Sequence, residues 1–423
     1  MELQEKYQLS LDGQVNAAIN NECPYTVFEM KDAIDTKALE TAVNKAMAYH
    51  PVFQMRLVKQ KGLYSLVPHH APAKIAVSDG KTAIAYGTPE YNHYPWLITV
   101  SGKRLILTCV HCLCDGMAVL AFLKTVITLY LIDKELVSPD KMPTISRDSV
   151  LRTLEDSYEK NAKVGVKPPY HIRKEKKPNP IPKRMFEKNP ENVSLYSLKI
   201  PTSEVQKLVE QTETTTFSVI ASLLAQALAK ALKKEDGNIT VLLPVNMRGM
   251  YHSVSDRGFA HTAKLTYDIA KCINRPLYFS ATAFRSQLDV LIDKDYFDYI
   301  LSENKKQTDL IYKHPFLLNL AKSAFYAMLY SPKASIVYTH LTKLGIDADI
   351  EPFIADVYIS GSPRPSPLIV AMARTFKDEV SITIGQSLKE ERLIQALKAV
   401  LDEFNIAYTL EKMEKLPAIR YLK

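Results

Sequence analysis

The residues of this sequence that could carry out chemistry are most concentrated in the stretch VHCLCDGMAV. Three kinds of site could use them: cysteine and histidine bind metal ions, paired cysteines exchange disulfides, and a histidine beside a carboxylate can move protons. The residues concerned are His111, Cys112, Cys114, Asp115 and Gly116.

The cysteines of this stretch favour neither a metal site nor a redox pair. If the preceding strand continues, Cys109 and Cys112 point to opposite faces, and no second Cys/His pair at ligand spacing occurs in the sequence. The five cysteines are an odd number without a secretory signal, which argues against a disulfide scaffold. We therefore interpret Cys112 and Cys114 as small buried apolar residues and expect no metal.

Two other chemistries find little support in the sequence. The nearest approach to the GxSxG nucleophile motif is GQSLK at Gly385–Lys389, which lacks the last glycine. Neither GxGxxG nor a Walker-type phosphate loop occurs. What remains is the pattern His-x-x-x-Asp-Gly, with His111 as a candidate acid–base residue.

The elements around this pattern decide where the histidine lies. The residues Leu105–His111 form a strand with mainly apolar residues on both faces, which is typical of a strand buried on both sides. His111 then lies at the carboxyl end of an interior strand, where ligands tend to bind in layered α/β proteins. The Asp-Gly pair ends the strand, and a long helix is expected over Met117–Lys134.

The rest of the chain mixes strands and helices in two halves, which predicts an α/β or α+β class with two lobes. A helix is also expected near Arg147–Asn161, and Lys61-Gly62 and Ser101-Gly102 are predicted hairpin turns. We divide the chain into an N-terminal lobe at residues 1–162, a basic linker at 163–192 and a C-terminal lobe at 193–423.

The net charge of +8 comes almost entirely from the linker. Between Lys163 and Lys188 there are nine basic and two acidic residues, a net +7, so the remaining chain carries +1. This stretch is rich in proline and lacks the pattern of a nucleic-acid interface, so we expect no nucleic-acid partner. It is either a solvated connection or an electrostatic contact for a phosphorylated cofactor or an acidic carrier protein.

Membrane and export signals are weak. The stretch Met117–Ile132 is apolar, but Lys124 interrupts it and it is shorter than a membrane span. The N-terminal residues MELQEKYQLS do not resemble a signal peptide. We therefore expect a cytoplasmic protein.

Several motifs, in order along the chain, resemble those of the chloramphenicol acetyltransferase-like superfamily, which includes condensation domains and alcohol acetyltransferases. His111, Asp115 and Gly116 match its HxxxDG signature, with Val110 where an extra histidine often stands. PVNMR, which ends at Arg248, is similar to the PVNxR element of the second half. Tyr338–Gly345 is similar to a Thr/Ser-Asn-Leu-Gly element. Only the region 147–192 has no clear counterpart.

The resemblance implies a two-lobed fold, each lobe a mixed sheet flanked by helices, with an active-site channel between the lobes. It implies that His111 is the general base and that the acceptor attacks directly, without an acyl-enzyme. It implies that Asp115 turns away from His111 and pairs with Arg248. We expect Gly116 to allow a sharp turn and Asn246 to support the sheet near Arg248. Thr339 and Ser362 are candidate oxyanion donors.

Three functions are compatible with this sequence. The first is an acyltransferase that moves an acyl group, with acetyl expected, from coenzyme A to a small-molecule alcohol or amine. The second is a stand-alone condensation-type enzyme whose acyl donor is bound to an acyl carrier protein. The third is a non-catalytic descendant of the family that binds a ligand or a protein.

Overall fold

The computed structural model of the chain describes residues 4–142, 146–170, 177–185, 194–329, 333, 335–342, 344–360 and 369–422. Its strands are β1 Tyr7–Gln8, β2 Tyr25–Met30, β3 Met55–Gln60, β4 Leu63–Pro68, β5 Ala76–Val77, β6 Ile84–Tyr86, β7 Trp96–Ser101, β8 Arg104–Cys109, β9 Ser194–Pro201, β10 Asn238–Asn246, β11 Ala260–Asp268, β12 Ser335–Leu341, β13 Ile354–Ser360, β14 Ile369–Phe376, β15 Glu379–Gln386, β16 Thr409–Lys412 and β17 Ile419–Tyr421.

The α-helices lie between and on these strands. They are α1 Leu11–Ile19, α2 Thr36–Ala46, α3 Gly116–Asp133, α4 Arg147–Arg152, α5 Ser157–Asn161, α6 Thr202–Thr212, α7 Thr216–Ala231, α8 Arg248–Tyr251, α9 Ile269–Cys272, α10 Leu277–Leu291, α11 Lys294–Lys313, α12 Leu317–Leu329 and α13 Arg392–Glu403. The single helix expected near Arg147–Asn161 is two short helices, because Asp156 caps a new one at α5.

The N-terminal half forms the first large sheet, whose central strand β8 leads to His111. In the described residues this sheet has the order β13-β2-β8-β7-β5. The β7–β8 hairpin turns at Gly102, which has a positive φ of 61°. The side chains of β8 from Leu105 to Cys109 are all buried, as expected of an interior strand.

The C-terminal half forms the second large sheet. Within the described chain its strand order is β11-β10-β12-β14-β15-β9-β16, with parallel pairing of β10 to β12 and β12 to β14 and antiparallel pairing elsewhere. Helices α7 and α13 cover its core, and the apolar stripe of α7 is fully buried there. The mixed sheets flanked by helices confirm the predicted α/β class.

Two strands from the C-terminal half belong to N-terminal sheets. Strand β13 pairs antiparallel with β2, from Ile354 opposite Met30 to Ser360 opposite Tyr25. Strand β17 pairs with β6. The division of the chain at 162 and 193 therefore does not coincide with the division into sheets, because the C-terminal segment supplies the edge of the first sheet.

Helix α3 is the one described helix that is long and apolar enough, by length and composition alone, to cross a membrane. It has 18 residues, which corrects the expectation that this stretch is shorter than a span. Most of the helix is buried within the N-terminal core, as in the central helix of a globular protein. The length and composition of α3 are therefore weak evidence for a membrane span.

Candidate active site

His111 lies in a tight turn between β8 and α3. The backbone N–H of His111 donates to the Asn21 carbonyl at 2.7 Å, which ties the turn to the segment before β2. The imidazole Nδ1 lies 3.2 Å from the carbonyl oxygen of Cys114. A carbonyl oxygen can only accept, so this contact assigns the proton to Nδ1 and leaves Nε2 as the nitrogen that can take up a proton.

The His111 residue is accessible to solvent. It is half-buried, and the nearby Asp12 is exposed. A small ligand could therefore reach His111.

The surroundings of His111 favour its protonated form. The negative charge of a Cys23 thiolate is the largest cause that raises the pKa of His111. Burial acts in the opposite direction, and the Asp12 carboxylate adds a smaller raising effect. The pKa of the Cys23 thiol is lowered, first by a hydrogen bond with Cys109 and then by the positive charge of His111.

Three cysteines meet beside this histidine. The Cys23 Sγ atom lies 3.6 Å from the Cys114 carbonyl oxygen, and the Sγ atoms of Cys109 and Cys114 are 3.7 Å apart. All three are buried, as is Cys112, which agrees with their interpretation as small buried residues. Their contact with His111 was not predicted, because Cys23 is far away in the sequence. Among the described residues, no group of three or more His, Cys, Asp or Glu side chains is arranged to hold a metal ion.

Asp115 does not orient His111. Its Oδ1 accepts from the backbone N–H groups of Met117 and Ala118 at 3.1 and 3.3 Å, which caps α3. Its Oδ2 accepts from Arg248 Nη1 at 2.7 Å and from the Phe259 N–H at 3.0 Å. The structure thus brings together Asp115 and Arg248, the pair that the family resemblance implies.

Arg248 uses its guanidinium group to hold a loop of the C-terminal half. Nε donates to the Ser255 carbonyl at 2.7 Å and Nη2 donates to the Arg257 carbonyl at 2.8 Å. Asn246 Oδ1 accepts from the Arg248 backbone N–H at 3.1 Å and from Nη1 at 3.2 Å. Asn246 therefore fixes the position of Arg248, and Arg248 contacts Asp115 rather than His111.

Gly116 does not have the conformational role that the sequence suggested. It is the first residue of α3, its φ does not lie in the left-handed region, and a Cβ atom at this position would meet nothing within 4 Å. The backbone turn therefore does not require glycine here, which corrects the sequence expectation. The position is exposed, with open space where a side chain would be.

Of the two oxyanion candidates, only Thr339 can be placed, since Ser362 lies outside the described residues. Thr339 is in β12, and its neighbour Tyr338 is buried in the C-terminal core. Leu341, on the same face of the strand as Thr339, packs against the N-terminal core. Thr339 therefore faces the N-terminal half, the side on which His111 lies.

Sequence reasoning missed Asp12. It lies in the first turn of α1, where Asn16 Nδ2 donates to its Oδ2 at 3.1 Å. Helix α1 itself was not predicted. The signal that could have found it is Ser10, which caps the helix by accepting from the Gly13 N–H.

A second histidine–aspartate pair has a structural role. His50 Nδ1 lies 2.9 Å from Asp256 Oδ2, and its Nε2 lies 2.9 Å from Thr125 Oγ1. All three side chains are largely buried and both ring nitrogens have partners. This pair joins the two halves of the chain and leaves His50 no free nitrogen for proton transfer.

Comparisons with known proteins identify the fold. TRI101 of F. graminearum, solved with coenzyme A and deoxynivalenol, is 13% identical with a TM-score of 0.66 over 95% of this chain and 99% of that chain. Polyketide synthase associated protein 5 of Mycobacterium tuberculosis is 14% identical with a TM-score of 0.63 over 95% and 98%. The nonribosomal peptide synthetase FmoA3 is 17% identical with a TM-score of 0.57 over 94% of this chain and 42% of that chain.

The sequence itself matches no protein-family model and no curated protein significantly. At identities this low, the likeness establishes the fold. The chain has the two-lobed chloramphenicol acetyltransferase-like fold of these solved structures. The resemblance found in the sequence is thus confirmed at the level of the fold.

Proposed function

We propose that the protein is an acyltransferase that moves an acetyl group from acetyl-coenzyme A to a small-molecule alcohol or amine, with His111 as general base. One observation carries the proposal: His111 is anchored through Nδ1 by the Cys114 carbonyl and is partly exposed to solvent. The Nε2 atom is then available for the acceptor. The coenzyme A bound to the structural neighbour TRI101 supports this donor.

The proposed reaction is a direct transfer. His111 Nε2 takes the proton from the acceptor hydroxyl or amino group, whose oxygen or nitrogen forms a bond to the thioester carbonyl carbon. The C–S bond then breaks, and the thiolate of coenzyme A takes the proton back from Nε2. Thr339 would stabilise the negative charge on the carbonyl oxygen, since it faces the N-terminal half.

Asp115, Arg248 and Asn246 would act as positioning residues in this reaction. Asp115 fixes the start of α3 directly after the turn that carries His111, and Arg248 fixes Asp115. The open space at Gly116 would leave room for a substrate at the start of α3. None of these residues needs to exchange a proton.

The basic segment supports binding of the negatively charged phosphates of coenzyme A. Nine basic residues against two acidic ones lie between Lys163 and Lys188. Lys163 is already paired with Asp298 Oδ2 at 2.7 Å. Lys167, Lys177 and Arg184 are exposed, so they are available at the surface for a phosphate.

The decisive experiment follows the release of free thiol from acetyl-coenzyme A with a panel of alcohols and amines. We expect turnover by the wild-type protein and a loss of about 10²–10⁴-fold in His111→Ala, with the thermal unfolding midpoint nearly unchanged. His70→Ala, at an exposed histidine, is the matched control and should retain full activity. Equal behaviour of wild type and His111→Ala with every donor and acceptor would exclude the proposed catalysis.

A condensation-type reaction is the second candidate, and the basic segment and the likeness to FmoA3 favour it. The donor would then be an acyl group on an acidic carrier protein. Salt-sensitive binding of such a carrier, together with no turnover of free acyl-coenzyme A, would select this function over the first.

A further inference from the structure

Asp12 is an exposed residue whose carboxylate is joined to the turn of His111 through Asn16 and Asn21. Asn16 Nδ2 donates to Asp12 Oδ2 at 3.1 Å, and Asn21 Nδ2 donates to Asn16 Oδ1 at 2.8 Å. The Asn21 carbonyl in turn accepts from the His111 backbone N–H at 2.7 Å. Because Asn16 is buried, this chain of hydrogen bonds gives Asp12 a defined position relative to the proposed base.

The carboxylate of Asp12 also acts on the imidazole through its charge. The Cys23 thiolate is the largest cause of the raised pKa of His111, and the Asp12 carboxylate adds to it. Charges that shift a pKa in this way are nearby charges, so Asp12 belongs to the surroundings of the imidazole.

No lysine or arginine neutralises this carboxylate within the described part of the chain. Its one hydrogen bond there comes from the neutral amide of Asn16 and uses Oδ2. Oδ1 is therefore available to a ligand, and the residue is exposed to solvent. A carboxylate with an unused oxygen near the base favours a cationic group of a ligand and disfavours an anionic one.

The place of Asp12 in its helix does not by itself distinguish it. It is the second residue of α1, after the cap Ser10, where a carboxylate stabilises the helix dipole. Asp295 has the same place in α11, after the cap Asp293, and is also exposed. What distinguishes Asp12 is its hydrogen-bonded connection to the turn of His111, so Asp295 is the matched control.

We propose that Asp12 is a specificity-determining residue that binds a positively charged group of the acceptor. The acceptor is then an amino alcohol or a diamine. Its ammonium group donates an N–H to Asp12 Oδ1, while a separate hydroxyl or amino group attacks the acyl donor and gives its proton to His111 Nε2. The bound positive charge also offsets the carboxylate charge that favours the protonated imidazole. This inference rests on the proposed acyl transfer and narrows its class of acceptor.

The test compares pairs of acceptors that have the same shape but differ in charge. Dimethylamino alcohols of increasing chain length carry an N–H on a positively charged nitrogen that cannot form a stable amide. The matching branched alcohols have a C–H in its place. Release of thiol from acetyl-coenzyme A gives kcat/KM for each acceptor and hence the ratio of the charged to the neutral member of each pair.

We expect Asp12→Asn to lower this ratio by about tenfold for the pair of best length, because a hydrogen bond between two charged groups is lost. Asparagine keeps an oxygen that accepts from Asn16, so the connection to the turn of His111 is retained. Any effect of the substitution on the base cancels in the ratio, since both members of a pair use the same base. Asp295→Asn should keep the wild-type ratio, and thermal unfolding checks that both variants fold.

The proposal is overturned if Asp12→Asn keeps the wild-type ratio or if Asp295→Asn lowers it equally. If no acceptor is turned over, the proposed acyltransferase activity fails, and calorimetric titration of the same compounds without a donor decides on Asp12. Binding that favours the charged member in wild type, and loses this preference in Asp12→Asn, supports the cation site. Binding without such a loss overturns it.

Discussion

At the scale of single residues, the aspartate of the HxxxDG pattern and the histidine have separate surroundings. Asp115 has four hydrogen bonds to backbone and arginine groups. His111 instead meets Cys23 and, further away, Asp12. The groups that set the protonation state of the proposed base thus come from the N-terminal segment of the chain rather than from the motif itself.

The first prediction concerns the pH dependence of turnover. His111 acts as a base only when Nε2 is unprotonated, and Cys23 raises the pKa of His111. Activity should therefore rise with pH, with its acidic limb above the ordinary histidine value of about 6.5. Cys23→Ser removes the thiolate charge, so the limb should move to lower pH by about one unit or more.

The measurement is a profile of kcat/KM against pH for wild type and Cys23→Ser. Cys272→Ser, at a buried cysteine of the C-terminal core, is the control and should leave the profile in place. An unchanged acidic limb in Cys23→Ser would show that the thiol does not control the charge of His111.

At the scale of the elements, the unit that matters is β8, the turn and α3. His111 follows the end of strand β8, and Asp115 caps the N-terminus of α3. The same carboxylate forms a salt bridge with Arg248 of the C-terminal half. A single side chain therefore fixes both the start of the helix and a contact between the two halves. Arg248 and Asp115 are only 13% and 11% exposed, so an unpaired partner would remain a buried charge.

The second prediction tests this unit with Asp115→Asn. Asparagine caps a helix nearly as well as aspartate but leaves the Arg248 charge unpaired, so the free energy of unfolding should fall by about 3–5 kcal/mol. Urea denaturation measures the change. The control is Asp35→Asn at the exposed cap of α2, where solvent screens the ion pair with Lys134 and the change should be much smaller. A loss of similar size at both caps would mean that the ion pair adds little.

At the scale of the whole molecule, the two halves of the chain share their sheets. Strand β13 forms the edge of the first large sheet beside β2, and β17 joins β6. Ile354, Val357 and Tyr358 of β13 belong to the N-terminal core. The first sheet is thus incomplete until the C-terminal segment has been made.

The third prediction is that residues 1–192 do not fold alone. Without β13 and β17 this fragment exposes the edge of β2 and part of its core, so it should show no cooperative urea transition. Circular dichroism of the fragment, with the full chain as reference, is the measurement. A sharp two-state transition of the fragment would show that the N-terminal lobe is an independent domain.

Much of this fold was predictable because local patterns carry it. The hairpin at Lys61-Gly62 forms with positive φ at both residues, as a two-residue turn requires, and the α3 helix begins at the Asp-Gly pair. The pairing of β13 with β2 was not predictable from local patterns, because the sequence of neither segment indicates which strand it pairs with. The same holds for the contact of Cys23 with His111, which depends on how two distant segments pack.

The shared strands also restrict how the two halves of the molecule can move relative to each other. Lobes that are joined only by a linker can swing apart as rigid bodies, whereas here the chain returns to the first sheet and pairs β13 with β2 from Ile354 to Ser360. A swing of the two halves would therefore also have to move the connections that enter and leave β13. The turn that carries His111 is held by hydrogen bonds within the chain, from its backbone N–H to Asn21 and between Nδ1 and the Cys114 carbonyl, and these need no bound substrate.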